Sequence, residues 1–253
     1  MAGRAASVRA GYDRAAFPFA WGDYDRTMRV DVWSDIVCPW CYLGKARFER
    51  ALAEFEHRDQ VEVVHHSFEL DPGFPAGQAT SVLDMLSSKY GLSRAQAAEA
   101  EANMAQMAAV EGLEFSVDRP HGNTFDAHRL VQLAKDSGRQ DEMLSRLYRA
   151  NFSAERSVFD TESLTALADE VGLDPAETRK VLAGDDYTNE VRADERRAAE
   201  LGATGVPFFV IDDALGISGG QRAEVFLRAL RQAWDDGHPS AGDGTSRFVS
   251  EDA

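Results

Sequence analysis

The sequence predicts an α/β fold in which a βαβ unit and a ββα unit share one sheet, with a large all-helical insertion between them. Three observations predict it: a period-two strand at 28–34 followed by a Val-rich one at 61–70, a succession of helical segments from about 81 to 201, and the return of extended apolar sequence at 207–218. Each apolar face needs a partner, and elements in this order satisfy one another in a compact layered unit.

Met28, Val30 and Val32 alternate with Arg29 and Asp31, which makes Met28–Ser34 a strand with one face turned inward. From Pro39 to Phe55 the apolar residues Leu43, Phe48, Ala51, Leu52 and Phe55 recur at helical spacing. A Val-rich second strand follows at Val61–Leu70. Inside the helical block, Gly112, Gly138, Gly172 and Gly184 stand where helices should end, because glycine accepts the left-handed conformation there. Asp174-Pro175-Ala176-Glu177 opens one helix, and the alanine-dense Arg94–Glu111 forms another. Two short strands, Pro207–Ile211 and Leu215–Ser218, flank a turn at Asp212-Asp213, and a helix over Gln221–Trp234 closes the fold. Residues 28–80 and 186–235 thus form the core and 81–185 the insertion; 1–27 and 236–253 lack periodicity and read as poorly ordered extensions.

Composition excludes several function classes. With 43 acidic against 27 basic residues the formal charge is −16, which repels phosphate backbones and anionic membranes, so nucleic acid is not expected as a partner. No segment approaches the roughly 20 apolar residues of a membrane span. Arg4, Arg9, Arg14 and Arg26 are scattered through a stretch without the apolar run of a signal peptide, so the expected compartment is the cytoplasm.

The chemistry is concentrated in Cys38-Pro39-Trp40-Cys41. The chain has 2 cysteines, which must act together. The motif opens a helix just after a strand, where free N–H groups and the helix dipole favour a thiolate on Cys38, while Cys41 lies one turn deeper. Pro39 suits the first helical turn, which has no internal partner for a proline's missing N–H. Cys38 is then the nucleophile and Cys41 the resolving thiol, working through a mixed disulfide. A zinc site would need four ligands, and the adjacent His65 and His66 sit on a strand where their side chains diverge, so no metal is expected.

The segment Asp31-Val32-Trp33-Ser34-Asp35 before the motif, the helical insertion, and Gly202-Ala203-Thr204-Gly205-Val206-Pro207 before Phe208-Phe209 together resemble the DsbA family. Within it they are similar to the FrnE-like branch, related to 2-hydroxychromene-2-carboxylate isomerases and kappa-class glutathione transferases. The resemblance runs from about Met28 to Trp234. It implies a thioredoxin-like core under a helical lid, a cis peptide at Val206–Pro207 against the two cysteines, and thiol or disulfide substrates, protein or small. Val206 would offer its backbone to substrate and Trp40 would line the substrate surface. Asn123, with Thr124 and Ala127-His128-Arg129, matches a segment that lies beside the active site in this branch; His128 reads either as a group reaching the thiols or as structural. Ser218-Gly219-Gly220 reads either as an anion-holding turn, for a glutathione carboxylate, or as a plain helix start. Asp35 reads as a helix cap or as a group tuning the thiol.

No cofactor is expected beyond glutathione as a co-substrate, and a homodimer is left open. The isomerase and transferase relatives carry serine where Cys38 stands, so the intact pair favours thiol–disulfide oxidoreductase chemistry. Two alternatives stand beside it: a glutathione-dependent isomerase or transferase, and a peptide-binding, chaperone-like module.

Overall fold

The computed structural model describes residues 27–237. Both expected extensions lie outside the described residues, apart from Thr27 and residues 236–237, which belong to the last helix. A four-stranded sheet carries the core, with β1 (Met28–Ser34) parallel to β2 (Val61–Ser67) and antiparallel to β5 (Phe208–Ile211), which pairs in turn with β6 (Leu215–Ser218). The order β2-β1-β5-β6 makes β1 central, and α1 (Pro39–Glu54) is the crossover between β1 and β2.

One face of the sheet, bearing Met28, Val30, Val32, Phe209 and Ile211, packs on Phe48, Ala51 and Phe55 of α1 and on Phe226 and Leu230 of α9 (Ala223–Gly237). Six of the seven β1 residues are buried, so the face expected to point outward is covered at Asp31, while Arg29 stays exposed. The cover is α8 (Thr188–Glu200), whose Ala198 packs with Trp33 and Val210. Asp31 tolerates this burial because it is bonded to Arg29 at 2.7–3.1 Å and to His66 at 2.6 Å.

Between the two halves lie β3 (Ala79–Ser81), α2 (Val82–Tyr90), α3 (Arg94–Val110), β4 (Pro120–Gly122), α4 (Phe125–Asp136), α5 (Gln140–Phe152), α6 (Thr161–Glu170) and α7 (Pro175–Ala183). The insertion is therefore helical with one exception, a ribbon of three-residue strands in which Thr80 faces His121. Strands so short carry no readable period. Caps account for the sharp helix starts: Ser93 and Gln96 form a reciprocal capping box at α3, and Asp174 accepts the amides of Ala176 and Glu177 at α7.

Several boundaries differ from expectation. α1 stops one residue early, with Phe55 already extended. β2 stops at Ser67, because β1 ends opposite it and the amide of Leu70 is taken instead by the Asp35 carboxylate at 2.7 Å. Gly112, Gly138 and Gly172 have positive φ as expected, but Gly184 is extended at φ −114° and closes α7 through amide bonds to Lys180 and Val181.

Candidate active site

Cys38 precedes the first turn of α1, its carbonyl accepting the amides of Cys41 (3.1 Å) and Tyr42 (3.2 Å), while its own amide donates to the Asp35 carbonyl (3.1 Å). The helix start thus has Pro39 in its first turn, and no side chain caps it. Both cysteines are free thiols. Cys41 is 1% exposed and Cys38 4%. Burial is the largest cause that pushes the Cys41 thiol well up, with Cys38 adding to it, so Cys41 holds its proton.

The Val206–Pro207 peptide is cis. Its Val206 carbonyl accepts from the Cys38 Sγ–H at 3.6 Å, within the range of a sulfur donor. Two glycines permit this approach. A Cβ on Gly44 would lie 3.1 Å from both Pro207 Cγ and Gly220 Cα, and a Cβ on Gly220 would lie 2.7 Å from the Trp40 carbonyl. The Ser218–Gly220 bend is pinned by the Gly219 amide to the Pro207 carbonyl (2.8 Å) and by Arg47 to the Gly220 carbonyl (2.8 Å). Its backbone groups anchor the cis-proline loop, which favours the plain structural reading of Ser218 over the anion-holding one.

Asp35 does not cap α1, which corrects the commoner reading of such a residue. It lies fully buried beneath the motif, where it accepts from Leu70 and sits 3.4 Å from His128 Nε2 on α4. Burial raises its carboxyl, yet His128, the Leu70 amide and Thr124 outweigh that and hold it below the ordinary range. His128 therefore meets the motif through Asp35. Asn123 accepts the Phe125 amide and donates to the Phe74 carbonyl, both at 3.0 Å, so it opens α4 and ties down the 68–78 loop. His65 bonds Asp141 while His66 bridges Asp31 and Asp194, so the two rings do point apart.

Beside Cys38 opens a cavity of about 360 Å³. Trp40, 44% exposed, stands on its rim with Val206, and the insertion supplies the facing wall of Val82, Met85 and Met104. That wall also contains Glu101, Arg119 and His121, three buried polar side chains that sequence reasoning missed. Nothing local marks them, since folding alone brings positions 101–121 to Cys38.

The chain matches the family model described as the DSBA-like thioredoxin domain over residues 29–231. It is 60% identical to a probable DsbA oxidoreductase of Streptomyces coelicolor, whose crystal structure superposes with a TM-score of 0.81 over 83% of this chain and 91% of that one. The uncharacterized protein YwbO of Bacillus subtilis is 34% identical over 205 residues, 81% of this chain and 96% of that protein. A 2-hydroxychromene-2-carboxylate isomerase at 15% identity shares the fold, with a TM-score of 0.61 over 83% of this chain and 97% of that one.

Proposed function

Because the chain belongs to the DSBA-like thioredoxin domain family, we propose that it is a thiol–disulfide oxidoreductase in which Cys38 attacks and Cys41 resolves. The observation that carries this reading is the inequality of the two thiols. Both are buried, but Cys38 stands at a helix start, on the cavity and beside the Val206 carbonyl, whereas Cys41 lies outside that cavity's lining and burial pushes its thiol well up. In the reductive direction the Cys38 thiolate attacks one sulfur of a substrate disulfide, forming a mixed disulfide and expelling the other sulfur as a thiolate. Cys41 then gives up its proton and attacks Cys38 Sγ, so the substrate leaves as a dithiol or two thiols and the protein keeps the two-electron-oxidised Cys38–Cys41 bond. The reverse sequence oxidises a substrate dithiol. The Val206 carbonyl, on the mouth of the cavity, is placed to align an extended substrate, and Trp40 to cover it.

We assign the reaction to the cytoplasm, where such dithiols act transiently and are otherwise kept reduced. Among the described residues no helix is long and apolar enough to cross a membrane.

Exchange with glutathione disulfide tests the reading. The native chain should form a Cys38–Cys41 bond, Cys38→Ser should abolish exchange, and Cys41→Ala should accumulate a mixed disulfide on Cys38. Turnover of a glutathione conjugate by the Cys38→Ser, Cys41→Ser double variant would instead select the isomerase or transferase reading. Peptide binding indifferent to redox state, without exchange, would select the chaperone-like one.

A further inference from the structure

In the largely apolar wall of the Cys38 cavity the insertion places a buried ion pair. Arg119 Nη1 lies 2.5 Å from Glu101 Oε2, with side-chain exposures of 2% and 6%. The guanidinium also packs against two aromatic rings that stack on each other, 4.6 Å from the centre of Phe115 and 4.7 Å from that of Phe152. Phe152 belongs to the same apolar cluster as Cys38 and Cys41, and Phe115 packs against it. Among the described residues Arg119 makes its hydrogen bonds through Nη1, to Glu101 and to the Ser116 carbonyl, leaving Nε and Nη2 without one.

Such a pair needs an explanation other than stability. Desolvating two charges costs about as much as their attraction returns, and apolar residues of like volume often do better. Its position supplies one, because a cation in a low-dielectric wall acts strongly on a sulfur that must carry negative charge. Burial lowers Arg119, but Glu101 and, further down the order, Cys38 favour its charged form. The other ionisable groups around the cavity are less suited: Lys89 is partly exposed and bonded to Asp71 at 3.2 Å, and burial keeps His121 neutral.

We propose that Arg119 stabilises the Cys38 thiolate, that Glu101 attenuates that effect, and that the pair thereby sets the reduction potential of the Cys38–Cys41 dithiol. The proposal rests on the oxidoreductase reading above. Stabilising a thiolate favours the reduced state, so the two charges pull the potential in opposite directions.

The test is the equilibrium in which the protein disulfide and two molecules of glutathione give the protein dithiol and glutathione disulfide, followed by alkylation and intact mass at fixed pH. Arg119→Met should lower the equilibrium constant by about tenfold, which is about 30 mV for this two-electron couple. Glu101→Gln should raise it by a similar factor, and Arg119→Lys should stay near native. Lost packing alone would shift both variants the same way, and that result overturns the proposal. Glu101→Gln preserves size and hydrogen bonding, so it decides the matter even if Arg119→Met fails to fold; a constant within about twofold of native sinks the idea. A native chain that never equilibrates with glutathione would instead overturn the oxidoreductase reading itself.

Discussion

Cys38 and Cys41 lie three residues apart yet differ in most of what decides thiol chemistry. Burial holds Cys41 protonated. Iodoacetamide near neutral pH should therefore add once to the native reduced chain, at Cys38, and a second time only after unfolding, as intact mass and peptide mapping would show. Comparable rates at both thiols would contradict the assigned roles. Asp35 makes a second residue-level case. Asp35→Ala leaves the Leu70 amide without its 2.7 Å acceptor and should cost about 1 kcal/mol in urea unfolding, whereas Asp35→Asn keeps an oxygen there and should cost less. The redox motif and the cis-proline segment were legible because their chemistry is written in consecutive residues. Asp35 was open to misreading because a cap and a buried acid both place aspartate near a helix start. Arg119 and Glu101 left no mark at all, since only tertiary packing gives either of them a function.

At the scale of elements, α8 is fastened to the sheet around Asp194, which takes bonds from the Ser67 amide and the Trp33 indole, both at 2.9 Å, and from His66. His66 Nδ1 lies 2.7 Å from Asp194 on α8, Nε2 lies 2.6 Å from Asp31 on β1, and Trp33 stacks on the ring at 4.4 Å. Burial lowers His66, but the two carboxylates outweigh it and leave it raised. A raised histidine contributes stability that is complete below its unfolded value of about 6.5 and is lost as pH climbs through the folded value. His66→Gln should thus cost about 2–3 kcal/mol near pH 6 and progressively less in alkaline solution, read as the difference between two denaturation series. Comparison with the native chain is essential, because His65 and His121 are lowered by burial and carry the opposite sign. A penalty independent of pH would show that the ring acts by shape alone. The existence and type of the long helices were legible from period and capping residues, including Asp174 at α7. What covers β1 was not: Asp31 looked solvent-facing because α8, more than a hundred and fifty residues away, supplies its roof.

At the scale of the whole molecule, the apolar interior of the described residues has two principal clusters. The sheet, α1 and α9 share one; the other belongs to α4–α7 and includes both cysteines, together with Ile36. The sequence pattern conveyed the order of the halves and the insertion between them, but not that the redox pair belongs to the insertion's interior. Leu130→Ala in the second cluster and Phe226→Ala in the first should each cost about 3–5 kcal/mol. Only Leu130→Ala should also move the equilibrium with glutathione, and a matching shift from Phe226→Ala would show that the clusters act as one. Their separation has a thermodynamic corollary. Closing or opening the sulfur bond and melting the helices around it are two edges of one cycle, so each must report on the other. Whatever free energy oxidation adds to or removes from the folded state is the same free energy by which folding displaces the couple from its value in the denatured chain. A pair of melting curves, one with the thiols joined and one with them free, is therefore already a measurement of how far this protein bends its own electrochemistry.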